Sequence, residues 1–246
     1  MTRGGRDALG SNPSTQIPVA PPEGVTGTWT VSLAEIEAMG RKAARGAGLS
    51  WGLAEEAGRA ARDLAARGLP GPEALAALLA ETDGAAAAHA PRLEDRPGDR
   101  CLRATGRPLC PLAAGAALSD HAHLVAAGCA LSLGPVLRPV LLLPFLVRAA
   151  RDLDLGISVT GEGVQAAARP DGPAGTDWGW ARARVLPGLE VRRAGPPAAP
   201  PRAVRAGARP VALGVWRALD RFAHRTYVPA SAASRSGAGA GASDGD

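Results

Sequence analysis

Apolar residues recur at helical spacing from Leu33 onward: Leu33, Ile36, Gly40, Ala43 and Ala47 share one face of a helix that runs to about Gly46. Its start is marked by Ser32-Leu33-Ala34-Glu35, a capping box in which each side chain takes the other residue's backbone N–H. A short strand over Thr28–Val31 leads into it. Gly46 and Gly48 end this helix, Ser50 caps the next, and Leu53, Ala57, Ala60, Ala61 and Leu64 form a second apolar face that stops at Gly68. The pattern predicts a helical hairpin. A third helix opens on Gly71-Pro72, where the missing proline N–H costs nothing, and carries Leu75, Leu78 and Leu79.

Residues 84–106 are polar and irregular, hold Pro91 and Pro97, and read as a linker. Beyond them the pattern changes. Residues 108–118 and 126–133 predict buried strands, 140–152 an apolar helix, and 157–168 a hairpin turning at Gly161-Glu162-Gly163. Strands at 180–186 and 189–193 and a proline-rich connection at 196–201 precede a last helix over 211–224, with Val215, Trp216, Leu219 and Phe222 on one face. Helices at both ends of a strand-rich middle predict an α+β fold with one crossover helix in that middle. The expected organisation is a disordered extension at 1–28, one α+β domain at 29–228 (helical over 29–83, mixed over 101–228), and a glycine-rich tail at 229–246.

Composition narrows the possible functions. With 246 residues, 46% hydrophobic, the chain can bury a real core, which excludes disorder throughout. At 3% aromatic content that core must rest on alanine, glycine, leucine and valine, so helices must pack closely. The net charge of +5 raises nucleic acid or an anionic membrane as partners. Lys42 is the only lysine, however, and arginine, alanine, glycine and proline all have GC-rich codons. No five-residue window is purely basic, and the aromatic residues do not interleave with arginines as stacking platforms would, so no nucleic-acid partner is expected. The apolar stretch 124–147 has the length of a membrane span. Arg138 near its middle would cost about 3 kcal/mol there, and Pro135, Pro139 and Pro144 break the helix, so no membrane partner is expected either. Cys101, Cys110 and Cys129 form no disulfide framework and the chain opens without a secretion pattern, which predicts a cytoplasmic protein.

The densest polar constellation runs from Arg225 to Arg235 and is followed by a glycine-alanine tract. It combines arginines for bidentate contacts, hydroxyls for hydrogen bonds, and a backbone able to approach a ligand closely. Arg45, Trp51, Arg225, Ser231, Ser234 and Arg235 are the candidate ligand-binding residues, and His224, Tyr227 and Glu55 the candidate proton-transfer groups. The plainer readings are a solvated tail and, for Trp51 and Glu55, a packing lid and an acidic complement to a helix N-terminus. His121 and His123 with Cys110 or Cys129, and Asp244 with Asp246, are too sparse to predict a metal, and Cys110 lacks the neighbours that activate a nucleophile. No P-loop, dinucleotide fingerprint or nucleophile elbow occurs, which leaves the cofactor unassigned.

The segment from Ser32 to Glu37, the run Ala43-Ala44-Arg45-Gly46-Ala47-Gly48-Leu49-Ser50-Trp51-Gly52-Leu53-Ala54-Glu55-Glu56-Ala57-Gly58, and Tyr227-Val228-Pro229-Ala230-Ser231 with Ser234-Arg235 resemble a bacterial family known as domain of unknown function 3726. Cys110-Pro111 and Pro144 match it too. Such proteins finish in Asp-Asn-Asp where this chain has Asp244-Gly245-Asp246. The resemblance supplies no catalytic residue but implies that the tail belongs to the design. The expectation is a metabolic protein that binds a small anionic or polar ligand, with the C-terminal segment as a lid over a pocket near the first two helices; whether it is an enzyme is left open. The alternative is a non-catalytic accessory subunit whose tail docks into a protein partner.

Overall fold

The N-terminal third forms where its caps and apolar faces predict. After β1 (Thr28–Val31), the Ser32 hydroxyl accepts the N–H of Glu35 (3.2 Å) and the Glu35 carboxylate accepts that of Ser32 (2.6 Å). That box opens α1 (Leu33–Gly46), which buries Ile36, Met39, Ala43 and Ala44; Ser50 caps α2 (Trp51–Ala66), and α3 (Gly71–Thr82) follows. The computed structural model describes residues 26–96, 99–175, 178–195, 201–205 and 207–227. The expected extension lies almost wholly outside them and the expected tail entirely so, as does most of the 196–201 connection.

The middle departs from the sequence reading in four places. Residues 84–106 are not a bare linker: a 3-10 turn, Ala86–His89, leads into a hairpin of β2 (Arg92–Arg96) and β3 (Asp99–Arg103). Cys101 and Leu102 are deeply buried while Arg92, Leu93 and Arg103 are exposed, so its charged outer positions mask the alternation. The strand expected at 108–118 is instead α4 (Pro111–Asp120), followed by α5 (Ala122–Ala126). Pro111 fits a first helical turn, and an alanine-leucine run favours helix over strand. The strand expected at 126–133 shrinks to β4 (Leu131–Leu133). β5 (Val136–Leu137), a 3-10 turn at Pro139–Leu142 and α6 (Leu143–Asp152) come next, then the expected hairpin, β6 (Ile157–Gly161) and β7 (Val164–Arg169), extended by β8 (Gly172–Ala174). The strand expected at 180–186 is a 3-10 turn, Gly179–Arg182, with only β9 (Val185–Leu186) beyond it. β10 (Leu189–Arg193) forms as expected; β11 (Arg209–Ala212) then takes the first residues assigned to the last helix, α7 (Leu213–His224).

One seven-stranded sheet runs β2-β3-β4-β10-β6-β7-β8. All its pairs are antiparallel except β3 with β4, which α4 and α5 connect. The chain is thus α+β with two crossovers: α4 and α5 carry it from β3 to its parallel neighbour β4, and α6, in the stretch where the one crossover helix was expected, carries it from β4 to β6, which run the same way on either side of β10. β1 pairs with β11, tying the start of the described chain to its end, and α7 packs on α1. α6 lies over β6, β7 and β8 and is covered in turn by α2, so α6 joins the helical third to the sheet. Its buried side chains belong to a single apolar core that extends from Val31 through α2 and β6 to Ala223.

Candidate functional site

The start of α3 has no side chain to cap it: Pro70 holds the N-cap position and Pro72 sits in the first turn. Gly71 is required there because a Cβ would strike the backbone carbonyl of Ala61 on α2, so α3 begins hard against its neighbour. Opposite this helix start stand the 3-10 turn ending at Arg182 and the segment entering β11. Between them lies a cleft of about 370 Å³, walled by Pro70 and Glu73 on one side and by Arg182, Arg205 and Arg209 on the other. A second hollow of about 110 Å³ shares Pro70, Glu73 and Arg182 with it and reaches inward to Arg138.

Arg138 adopts a left-handed conformation (φ 40°, ψ 56°), which costs a side chain about 1–2 kcal/mol and which only Asp154 shares among described non-glycine residues. It is held by the backbone: its N–H donates to the Arg184 carbonyl (2.8 Å), and its own carbonyl accepts from Leu141 (3.0 Å). Its guanidinium pairs with Glu81 on α3, and Arg184 approaches the same carboxylate oxygen at 3.4 Å. The pairing is incomplete. Arg138 Nε and the second oxygen of Glu81, Oε2, are both buried with no hydrogen-bond partner among the described residues, a state that costs free energy unless something else supplies the bond.

The other cleft arginines divide by task. Arg209 donates Nε to the Ala65 carbonyl at the end of α2 (3.1 Å) and a second nitrogen to that of Ala208 (2.9 Å). The Arg205 backbone N–H donates to Ala66 (2.7 Å), while its side chain, like that of Arg182, makes no ion pair or hydrogen bond among the described residues. Glu73 is the only carboxylate on the walls among the described residues, which give the cleft a marked excess of positive charge in which an anion is favoured.

The residues singled out from sequence lie elsewhere. Arg45 stacks over the Trp51 ring (4.8 Å) and donates to the Leu49 carbonyl (2.7 Å), closing the α1–α2 turn; Trp51 is 66% exposed. Tyr227, at the end of α7, sits under Lys42 (5.5 Å) and meets His224 edge-on (5.1 Å), and His224 lies 3.4 Å from Asp220. Arg45, Trp51, His224 and Tyr227 therefore sit where α1 and α7 end and α2 begins, but Glu55 pairs with Arg59, and Arg225 grips Asp83 with two hydrogen bonds (2.7 and 2.9 Å). None of these six lines the cleft, which adjoins the other end of α2, about 24 Å along its axis. Ser231, Ser234 and Arg235, and with them the expected lid, lie outside the described residues.

His121 and His123 stack (6.4 Å) beside the α4–α5 junction, and no group of three or more His, Cys, Asp or Glu among the described residues is placed to hold a metal. Burial pushes the Cys110 thiol up, against the pull of the Ala113 and Leu112 N–H groups, the opposite of what activates a thiolate. Sequence reasoning passed over Glu73, Glu81, Arg138, Arg182, Arg205 and Arg209. One signal was present: Arg138 is the single charge between Leu124 and Val147 and must have a partner if that run is buried.

A family model described as a protein of unknown function (DUF3726) matches residues 31–97, the family that the sequence resemblance names. None of the curated proteins matches the chain. Among solved structures it is similar to malate dehydrogenase from Entamoeba histolytica, at 12% identity and a TM-score of 0.41, over 55% of this chain and 40% of that one. It is also similar to malate dehydrogenase from Pyrococcus horikoshii OT3, at 12% identity and a TM-score of 0.42, over 62% of this chain and 51% of that one. The match thus takes in about half the length of either dehydrogenase or less. No helix among the described residues is long and apolar enough to cross a membrane.

Proposed function

We propose that the protein is a metabolic protein of the cytoplasm that binds a small carboxylate- or phosphate-bearing molecule in the cleft between the start of α3 and the Arg182–Arg209 wall. The observation that carries this is Arg138: a strained, incompletely paired arginine lining the smaller hollow that shares Pro70, Glu73 and Arg182 with the cleft, two of whose three arginines, Arg182 and Arg205, make no ion pair among the described residues. Strain and an unmet hydrogen bond persist in a fold when a bound group offsets them. A cleft of about 370 Å³ takes a molecule of metabolite size but not a polymer. Arg182 and Arg205 supply forked N–H donors for a carboxylate or phosphate, and Glu73 supplies a proton acceptor next to it.

Thermal unfolding with citrate, malonate and glycerol 3-phosphate, each against sodium chloride of equal ionic strength, tests the reading. A ligand at about a hundred times its Kd stabilises by about 2.7 kcal/mol. At least one anion is expected to raise the Tm of the wild type and to lose that effect in Arg182→Ala. Arg138→Gly, which tolerates the left-handed backbone while removing the guanidinium, is expected to weaken it. Equal shifts in wild type and both variants would overturn the assignment of the cleft.

A further inference from the structure

A second set of arginines gathers on the opposite face of α2, around a hollow of about 100 Å³ between α2 and α6 that Pro173 of β8 closes. Its floor is apolar, formed by Ala60, Leu64, Leu143 and Val147, which lowers the local dielectric and strengthens any charge interaction above it. Its rim carries Arg59, Arg67, Arg148 and Arg151 against one carboxylate, Asp63.

Two of these cations are already neutralised. Glu56 holds Arg148 with two hydrogen bonds (2.5 and 3.0 Å) and Arg59 with one (2.8 Å), and Glu55 reaches Arg59 as well (3.2 Å). Asp63 is engaged by Arg62, whose Nε and a terminal nitrogen lie 3.1 and 2.9 Å from one of its oxygens. Arg67 and Arg151 are left without a carboxylate partner among the described residues. Arg67 donates to the backbone carbonyl of Asp63 (3.1 Å), and Arg151 donates its Nε to that of Pro170 (3.1 Å). Arg67 Nε is buried and unpartnered. The two guanidiniums are close enough to repel: burial chiefly, and then the positive charges of Arg151 and Arg62, push Arg67 below the usual arginine range, against the opposing pull of Asp63.

We infer that this hollow is a second oxyanion site, in which Arg67 and Arg151 bind a single tetrahedral group, phosphate or the phosphoryl end of a phosphomonoester, with Arg59 and Arg148 at its edge. A dianion relieves the repulsion between two cations that share a low-dielectric wall, and each has terminal N–H groups left to give. The volume admits one phosphoryl group and little more, which excludes a nucleotide from the hollow itself. The inference is independent of the cleft beside α3, since the two share no lining residue.

Isothermal titration of the full chain with inorganic phosphate, and separately with glycerol 3-phosphate, tests it against matched sodium chloride. Arg151→Gln is the primary variant because its side chain is exposed; Arg67→Lys keeps the charge but loses the fork, and circular dichroism reports whether each variant keeps its fold. Phosphate is expected to bind the wild type and Arg182→Ala alike, with affinity at least tenfold weaker in Arg151→Gln. Tighter binding of glycerol 3-phosphate than of phosphate identifies an ester as the ligand, and the reverse identifies the free ion; either supports the site if Arg151→Gln weakens it. No heat beyond that of chloride, or equal affinity in wild type and Arg151→Gln, overturns the inference. Loss of phosphate binding in Arg182→Ala alone overturns it too, and places the anion in the cleft instead.

Discussion

Asp83 closes α3 at its C-cap, the end of the helix dipole where a carboxylate is disfavoured, and Arg225 reverses that cost. The hydrogen bond and charge of Arg225 hold the Asp83 carboxyl below the ordinary aspartate value of 3.8. A carboxyl lowered in the folded state stabilises the fold above its unfolded value, and the contribution fades as pH falls through the folded one. Urea midpoints of wild type and Asp83→Asn are therefore expected to differ at about pH 6 and to draw together as the pH falls below the ordinary aspartate value. A constant gap across that range would mean that the pair carries no net stabilisation. That pairing could not be read from the sequence, where nothing marks Asp83, 142 positions away, as a partner of Arg225. Arg138 was more legible, since one charge in an apolar run demands a partner. That its partner is Glu81 was not, because the pairing depends on how α3 lies across the chain.

Elements that announce their own ends were readable. α1 and α2 carry Ser32 and Ser50 at their N-caps and α3 carries Pro72 in its first turn, and all three form within a residue or two of where those signals fall. Residues 108–133 carry the same kind of signal only at Pro111, and the apolar runs around it fit a buried strand as well as a helix by period alone. The far end of α2 was equally silent. Its carbonyls are capped by cations brought from distant sequence: Arg202 donates to Arg67 (2.6 Å) and Arg209 to Ala65 (3.1 Å). Cationic donors suit the negative end of a helix. Removing one in Arg202→Ala, which also uncovers the Trp178 ring, is expected to lower stability by about 1 kcal/mol in urea unfolding. Because the strap that Arg202 anchors carries Arg205 into the cleft, the variant should also weaken anion binding there. Gly71→Ala acts at the same junction from the other side: its methyl group would displace α3 from Ala61, at about 1–3 kcal/mol, read as a lower urea midpoint.

At the scale of the molecule, the helical third and the sheet share one core, because α2 rests on α6 and α6 rests on β6, β7 and β8. The pairing of β1 with β11 and the packing of Trp29 on Trp216 (5.9 Å) then bind the beginning of the described chain to α7. The helices cannot separate from the sheet and α6 without exposing Leu64 and Val147 at the α2–α6 junction. Unfolding is expected to be a single transition. Two tryptophan pairs test this, since Trp29 and Trp216 report on the helical third while Trp178 and Trp180 (5.9 Å apart) report beside the sheet. In a Trp51→Phe background, where replacing one pair by phenylalanine leaves only the other, the remaining fluorescence should change at the same urea concentration as the far-ultraviolet circular dichroism. A fragment of residues 26–90 should remain largely unstructured, because the faces that α6 and α7 cover would be left in water. Separate midpoints for the two pairs, or a folded fragment, would show instead that the helices form a unit of their own, and the cleft would then lie at a junction between two units rather than within one core.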